Sequence, residues 1–321
     1  MELVKMHTYC RPAGTQTEAA FCLKYIDSIP GMITDMAGNR LIRVGSATDH
    51  PVLWSSHTDT VHSKGGKQKV TYGDGILTLS DGSESSCLGA DCTVGVWLMR
   101  QMILANVPGL YVFHAEEECG GHGSKHIATV TPQVLDGIKY AIALDRKNIH
   151  SIITHQWSRC ASDAFGKALG DAIGSHCSLD TGGTFTDTAN YTSLVPECTN
   201  ISVGYYAQHT TKECLDVSYA VYLLDRIKRL DVNTLPVSRT PGNDDYDYGD
   251  YGDYGGVYGG YGGAYGSKYS KRGYVAKPSA TLEDLVWDNP ELAAALLEQM
   301  GIDATDFQQA LDDYYMTGKR R

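Results

Sequence analysis

No stretch of this chain stays apolar for the ~18 residues that a membrane span needs, so no transmembrane role is expected. The first residues, Met1-Glu2-Leu3-Val4-Lys5-Met6-His7, lack the basic and then apolar regions of a secretory signal, and a cytoplasmic protein is expected. Basic charge is scarce too. Lysine and arginine number 27 against 38 acidic residues, a net charge of -11. That balance disfavours nucleic acid or an anionic membrane surface as partner. The nine cysteines are odd in number and form no repeated C-x-x-C pair. Reduced thiols fit this better than a disulfide framework or a thiolate zinc site. An acidic chain with imidazoles and carboxylates to spare suits hard or borderline cations instead.

What is present is enough for a core. Of 321 residues, 42% are hydrophobic, and the length suggests about two domains. Thr15 to Ser28 reads as an amphipathic helix with Ala19, Leu23 and Ile26 on one face. Met32–Thr34 and Leu41–Val44 read as strands paired through the Ala37-Gly38-Asn39 turn, and Val70–Tyr72 with Ile76–Leu79 as a hairpin. Helices are expected over Cys92–Ala105, from Gly123, over Ser162–Ile173 and over Cys214–Leu230, the last burying Val217, Ala220, Val221, Leu224 and Ile227. Strands are expected at Pro51–Trp54, Leu110–Phe113, Tyr140–Leu144 and Asn200–Val203, with Ile149–Thr154 beside the Tyr140 strand. Strands alternating with helices predict an α/β fold, a three-layer α/β/α sandwich, and the early hairpin elements make its central sheet mixed.

Composition breaks near Pro241. From there to Tyr274 the chain is mostly Tyr, Gly and Asp, and nearly half of its 21 tyrosines lie there. Such a segment has no aliphatic period with which to build a core. The expected organisation is a folded domain over 1–236, a Tyr/Gly-rich disordered linker over 237–279 and a small helical C-terminal segment over 280–321. Thr281-Leu282-Glu283-Asp284 and Pro290 supply helix starts, and Gly301 a stop.

Chemistry-bearing residues gather at the ends of the expected strands. Ser55-Ser56-His57-Thr58-Asp59 puts an imidazole and a carboxylate two apart, on one side of a strand end. Gly89-Ala90-Asp91 precedes a helix. The strand Leu110–Phe113 runs into His114-Ala115-Glu116-Glu117-Glu118-Cys119-Gly120-Gly121-His122-Gly123-Ser124. Three successive carboxylates there repel one another unless a cation is near. Ala141-Ile142-Ala143-Leu144-Asp145 ends in a carboxylate, and His209 follows the Asn200 strand. Strand ends are where α/β sheets bind ligands.

In this order, His57-x-Asp59, Gly89-Ala90-Asp91, Glu117-Glu118-x-Gly120-x-x-Gly123-Ser124, Asp145 and His209 resemble the di-zinc exopeptidase clan of aminopeptidases, dipeptidases, carboxypeptidases and related deacylases. The resemblance spans roughly Thr8 to Leu230. It implies a metal-dependent hydrolase with two zinc ions bridged by Asp91, one also held by His57 and Asp145, the other by Glu118 and His209. Cobalt and manganese suit the same ligands. Asp59 would orient His57, and Glu117 would be the general base. The register Glu116–Glu117 would move base and ligand one place back; the spacing to Gly120 and Gly123 favours Glu117–Glu118.

Only 31 residues separate Asp59 from Asp91 and 63 separate Asp145 from His209, too few for the domains that other branches insert. The resemblance is therefore to the compact single-domain branch. It implies an aminopeptidase acting on peptides; an N-acyl amino acid deacylase on the same site, or a non-catalytic binding protein on this fold, are the alternatives. Asp187 would shape the substrate pocket. Cys92 departs from the pattern, since many relatives carry a carboxylate there. His62, His114, His122, His155 and His176 are not expected as metal ligands, though one of His62, His155 and His176 could touch substrate. Homo-oligomerisation or self-association through the Tyr/Gly tail is left open.

Overall fold

The computed structural model describes residues 1–46, 49–174 and 176–242. The expected helical segment at 280–321, and the linker from residue 243 onward, lie outside the described residues. Eight strands form the central sheet, in the order Ser178–Asp180, Ser151–Ile153, Glu197–Ser202, Tyr140–Arg146, Val52–His57, Gly109–His114, Arg40–Val44, Ile33–Thr34. The four in the middle run parallel, while Arg40–Val44 and Ile33–Thr34 pair antiparallel at one side. The sheet is mixed, as expected.

Alternation along the middle strands sends side chains to two separate cores. Val52, Trp54, Tyr111, Phe113, Ile142 and Leu144 face one way, towards helices Gln16–Tyr25, Ala90–Leu104, Asp163–Ile173 and Val217–Lys228. Leu53, Leu110, Val112 and Ala141 face the other, towards Ile127 on helix His122–Thr129 and towards Leu135 and Tyr191. The result is three layers, α/β/α. Each side chain fully buried in this way contributes ~1.5–3 kcal/mol.

One glycine sets a close approach that matters later. Gly95 lies on helix Ala90–Leu104 where a Cβ would collide with the Leu144 carbonyl oxygen and come within 3.1 Å of Ser56 Cβ. The helix can therefore lie against the strands that end in His57 and Asp145, with its first residue pair at their tips.

Several expectations need correction. Ser151–Ile153 does not pair with the Tyr140 strand; Glu197–Ser202 lies between them. Helix Gln16–Tyr25 is capped by Thr15, but it buries Glu18, Phe21, Cys22 and Tyr25, and Leu23 is 70% exposed. Phe21 and Tyr25 pack with Tyr9 and with the Arg11 guanidinium over the Phe21 ring, so the aromatic face wins over the aliphatic one. The expected helix at Cys214 is first a strand, Cys214–Asp216; Asp216 then caps helix Val217–Lys228 by accepting from the Tyr219 N–H at 2.9 Å. Its inward face is Val217, Tyr219, Ala220, Leu223 and Ile227, while Val221 is exposed. That short strand belongs to a second, antiparallel sheet with Tyr205–Tyr206, Ile76–Leu79 and Val70–Gly73, and the loop carrying His209 joins two of its strands.

No helix among the described residues is long and apolar enough to cross a membrane. All nine cysteines are free.

Candidate metal centre

His57 is the last residue of a strand buried along its whole length. Its Nδ1 lies 3.1 Å from the Asp59 carbonyl oxygen and 3.4 Å from Asp59 Oδ1. Both are acceptors, so Nδ1 carries a proton and Nε2 is the nitrogen turned to the cluster. Nε2 faces Asp91 Oδ1 at 3.1 Å and Asp145 Oδ1 at 3.4 Å.

Asp91 reaches this point because its backbone is not helical. Gly89 adopts φ +70°, and Asp91 itself has φ -78°, ψ 105°, which turns the carboxylate towards the strand ends. Its second oxygen, Oδ2, lies 3.2 Å from His209 Nε2, which is also 3.2 Å from Glu118 Oε1. One Asp91 oxygen thus meets each histidine.

The glutamate run is sorted by Asp59. Its fully buried carboxylate accepts the backbone N–H groups of Glu117 and Glu118, at 3.1 Å each. Glu116, at φ +60°, turns outward to His122 Nδ1 at 2.8 Å. Glu117 and Glu118 line a cavity of about 340 Å³ together with Asp91, Asp145, Lys147 and His209. A second cavity of about 330 Å³, among Cys10, His62, Lys64 and Ser83, contains none of these groups.

Supporting contacts that have no local sequence signal complete the picture. Thr186 Oγ1 donates to Asp145 Oδ2 at 2.8 Å, Tyr205 OH donates to the Asp145 carbonyl at 2.6 Å, and Asn200 Oδ1 accepts the Asp145 N–H at 3.1 Å. Glu213 is buried and accepts from the N–H groups of Gly89 and Ala90 at 2.8 and 3.0 Å. Asp187 is buried against His114 and does not line the cavity.

The electrostatics of the cluster ask for positive charge. Burial pushes the Glu117 carboxyl up to about 10, and burial together with the Asp91 charge pushes Asp145 up to about 7. Burial works against a charged His57, yet Cys92 and hydrogen bonds with Asp145, Asp59 and Asp91 hold its pKa well above the usual value. Hydrogen bonds to Asp91 and Glu118 raise His209 to about 10. Glu118 Oε1 and Asp145 Oδ1 are buried with no partner beyond the imidazole nitrogens at 3.2 and 3.4 Å. Two imidazoles converging on three carboxylates form a donor set that suits divalent cations, which would take the place of the imidazole protons.

Three groupings place candidate ligand atoms within 4.8 Å of one another: His57, Cys92 and Asp145; His57, Glu117 and Glu118; Asp91, Glu118 and His209. Cys92 is the least suited of these. Burial and the Asp145 charge push its thiol well up, and Sγ donates to the Leu144 carbonyl at 3.2 Å.

No protein-family model and no curated protein sequence matches the chain. Solved structures do. Aminopeptidase PepT from Bacillus cereus matches over 71% of this chain and 96% of its own, with TM-score 0.56 at 15% identity. A tripeptidase from Staphylococcus aureus matches over 70% and 95%, with TM-score 0.57 at 13% identity. The TET1 peptidase of Pyrococcus horikoshii, described as assembling into a tetrahedron or a large octahedral shell, matches over 71% and 97%, with TM-score 0.52 at 16% identity. At such identities the likeness is one of fold.

Proposed function

We propose that this protein is a metal-dependent amide hydrolase of the di-zinc exopeptidase clan, and that it releases N-terminal residues from peptides. The observation that carries the reading is Asp91, whose two oxygens meet His57 and His209 separately, at 3.1 and 3.2 Å. In this proposal one ion is held by His57, Asp91 and Asp145 and the other by Asp91, Glu118 and His209. The fold it shares with peptidases supports the same reading. The compact-branch assignment rests on the short segments between the ligands.

Two divalent ions bound here would polarise an amide carbonyl and make water a competent nucleophile near neutral pH. The remaining work falls to the chain. Glu117, at the cavity wall, takes the proton of the attacking water and hands it to the leaving amine. Its carboxyl is held high by burial, and positive charge beside it brings that value down towards the working range. Asp59 fixes the tautomer of His57 and the backbone beneath Glu117 and Glu118, so ligand and base share one support. Lys147, also at the cavity, offers a cationic group for an acidic part of the substrate, while Arg146 is paired with Asp180 at 3.2 Å.

The test joins zinc analysis of the purified protein to hydrolysis of an aminoacyl-chromophore panel, with and without chelator. About two zinc per chain and chelator-sensitive release of the N-terminal residue are expected. Two zinc with cleavage confined to N-acyl amino acids would replace the aminopeptidase with a deacylase. No zinc uptake would leave a binding protein on a peptidase fold.

A further inference from the structure

We infer that Glu213 is a positioning residue that builds one of the two ion sites, by tying the loop that carries His209 to the backbone beneath Asp91. This rests on the two-metal reading above. Glu213 is only 1% exposed. Its carboxylate accepts the N–H groups of Gly89, Ala90 and Asp91, at 2.8, 3.0 and 3.3 Å. These donors open helix Ala90–Leu104, whose own N-cap residue, Gly89, has no side chain to satisfy them. A carboxylate more than 120 residues further along the chain does so instead.

Four residues before Glu213, on the same loop, His209 Nε2 touches Asp91 Oδ2 and Glu118 Oε1. The loop therefore grips Asp91 twice, by its backbone through Glu213 and by its side chain through His209. It needs such an anchor. Ala207 and His209 both sit at positive φ, 52° and 63°, and the His209 side chain is 43% exposed. Backbone in that region persists only when its surroundings hold it there. Within the loop the hydrogen bonds are local, from Thr210 Oγ1 to the Ala207 carbonyl, from the Lys212 N–H to Thr210 Oγ1 and from the Glu213 N–H to the Thr210 carbonyl. By contrast, His57 and Asp145 are fixed by strands of the central sheet. Loss of Glu213 should thus fall unequally on the two ions, which a simple helix cap would not do.

The experiment titrates zinc into chelator-stripped protein against a competing chelator, and records the melting temperature of the metal-free form. The variants are Glu213→Ala and Glu213→Gln, the latter keeping shape and one acceptor. One zinc site is expected to weaken ~10–100-fold in Glu213→Ala while the other stays within about threefold. Glu213→Gln should show the same inequality to a smaller degree, since one oxygen can still accept from Ala90 and Asp91 while its NH₂ faces the Gly89 N–H. Equal weakening of both sites, or unchanged affinities with only a lower melting temperature, would overturn the inference and leave Glu213 a structural cap. A wild-type protein that takes up no zinc would overturn the two-metal reading itself.

Discussion

His57 and His114 end adjacent parallel strands and stand opposite one another in register, yet their surroundings could hardly differ more. His114 Nε2 meets Tyr191 OH at 2.6 Å, and Nδ1 lies 3.2 Å from both Ser55 Oγ and Asp187 Oδ2. Burial lowers His114 to about 3 and raises Asp187 to about 8, so both are neutral at pH 7. His57 instead has one nitrogen committed to Asp59 and the other aimed at two carboxylates. One histidine is held by Tyr191, Ser55 and Asp187 away from the cavity; its neighbour faces carboxylates that line it. A strand-end position does not make a ligand. What the second ring nitrogen faces decides it.

Exchanging the two by mutation should separate the roles most widely. His57→Ala is expected to abolish binding of one zinc and reduce hydrolysis to background, and in the metal-free protein it removes the imidazole that Asp59, Asp91 and Asp145 face. His114→Ala should leave zinc stoichiometry intact and cost ~1–3 kcal/mol of stability, from a lost buried network. Zinc analysis and urea melts of both variants check this. Similar effects of the two would dissolve the contrast.

Glu117→Gln separates the proposed base from the proposed ligands. Hydrolysis should fall ~10²–10⁴-fold with two zinc retained; undiminished turnover would point to another base. Asp59→Asn acts one step further out. Its amide NH₂ would confront the N–H groups of Glu117 and Glu118 that the carboxylate now accepts. Zinc affinity should drop ~10–100-fold, measured by chelator competition, and a drop as large as that of His57→Ala would make Asp59 more than a support.

The same contrast explains what could be read in the sequence. His57, Asp91 and Asp145 stand at ends of elements that apolar patterning reveals, with Glu117 and Glu118 just beyond one, so their convergence followed from the sheet; His209, on a loop of the second sheet, was singled out by the order of motifs in the family resemblance. Glu213, Thr186, Asn200 and Tyr205 act on those residues across 41 to 124 positions of chain, and nothing local marks them. Glu213 in particular is an ordinary acid before a short strand until the Asp91 loop folds over it. The strand Cys214–Asp216 was hidden for a related reason: Leu215 and Val217 extend the apolar period of the helix that follows, and only the Asp216 cap divides them. For Gln16–Tyr25 the choice of face depended on Tyr9 and Arg11, which periodicity within the helix does not contain.

The effect furthest from the cluster concerns histidines that resemble His114 rather than His57. Burial lowers His7 to about 3 and His62 to about 4, against about 6.5 in the unfolded chain. Below pH 6.5 the unfolded state binds protons that the folded state refuses, so stability rises with pH and falls on acidification. The loss begins near pH 6.5 and continues to about 4 for His62 and about 3 for His7, each adding up to ~1.4 kcal/mol per pH unit. In metal-free protein the ligand cluster pulls the other way, because Glu117 and Asp145 have folded values above their unfolded ones and take up protons on folding. A single melt against pH therefore mixes the two regions. The difference between wild type and His7→Gln does not: the variant should be less acid-sensitive between pH 6.5 and 4, by about one proton in the slope of stability against pH. Parallel profiles would mean that His7 accepts its proton without unfolding.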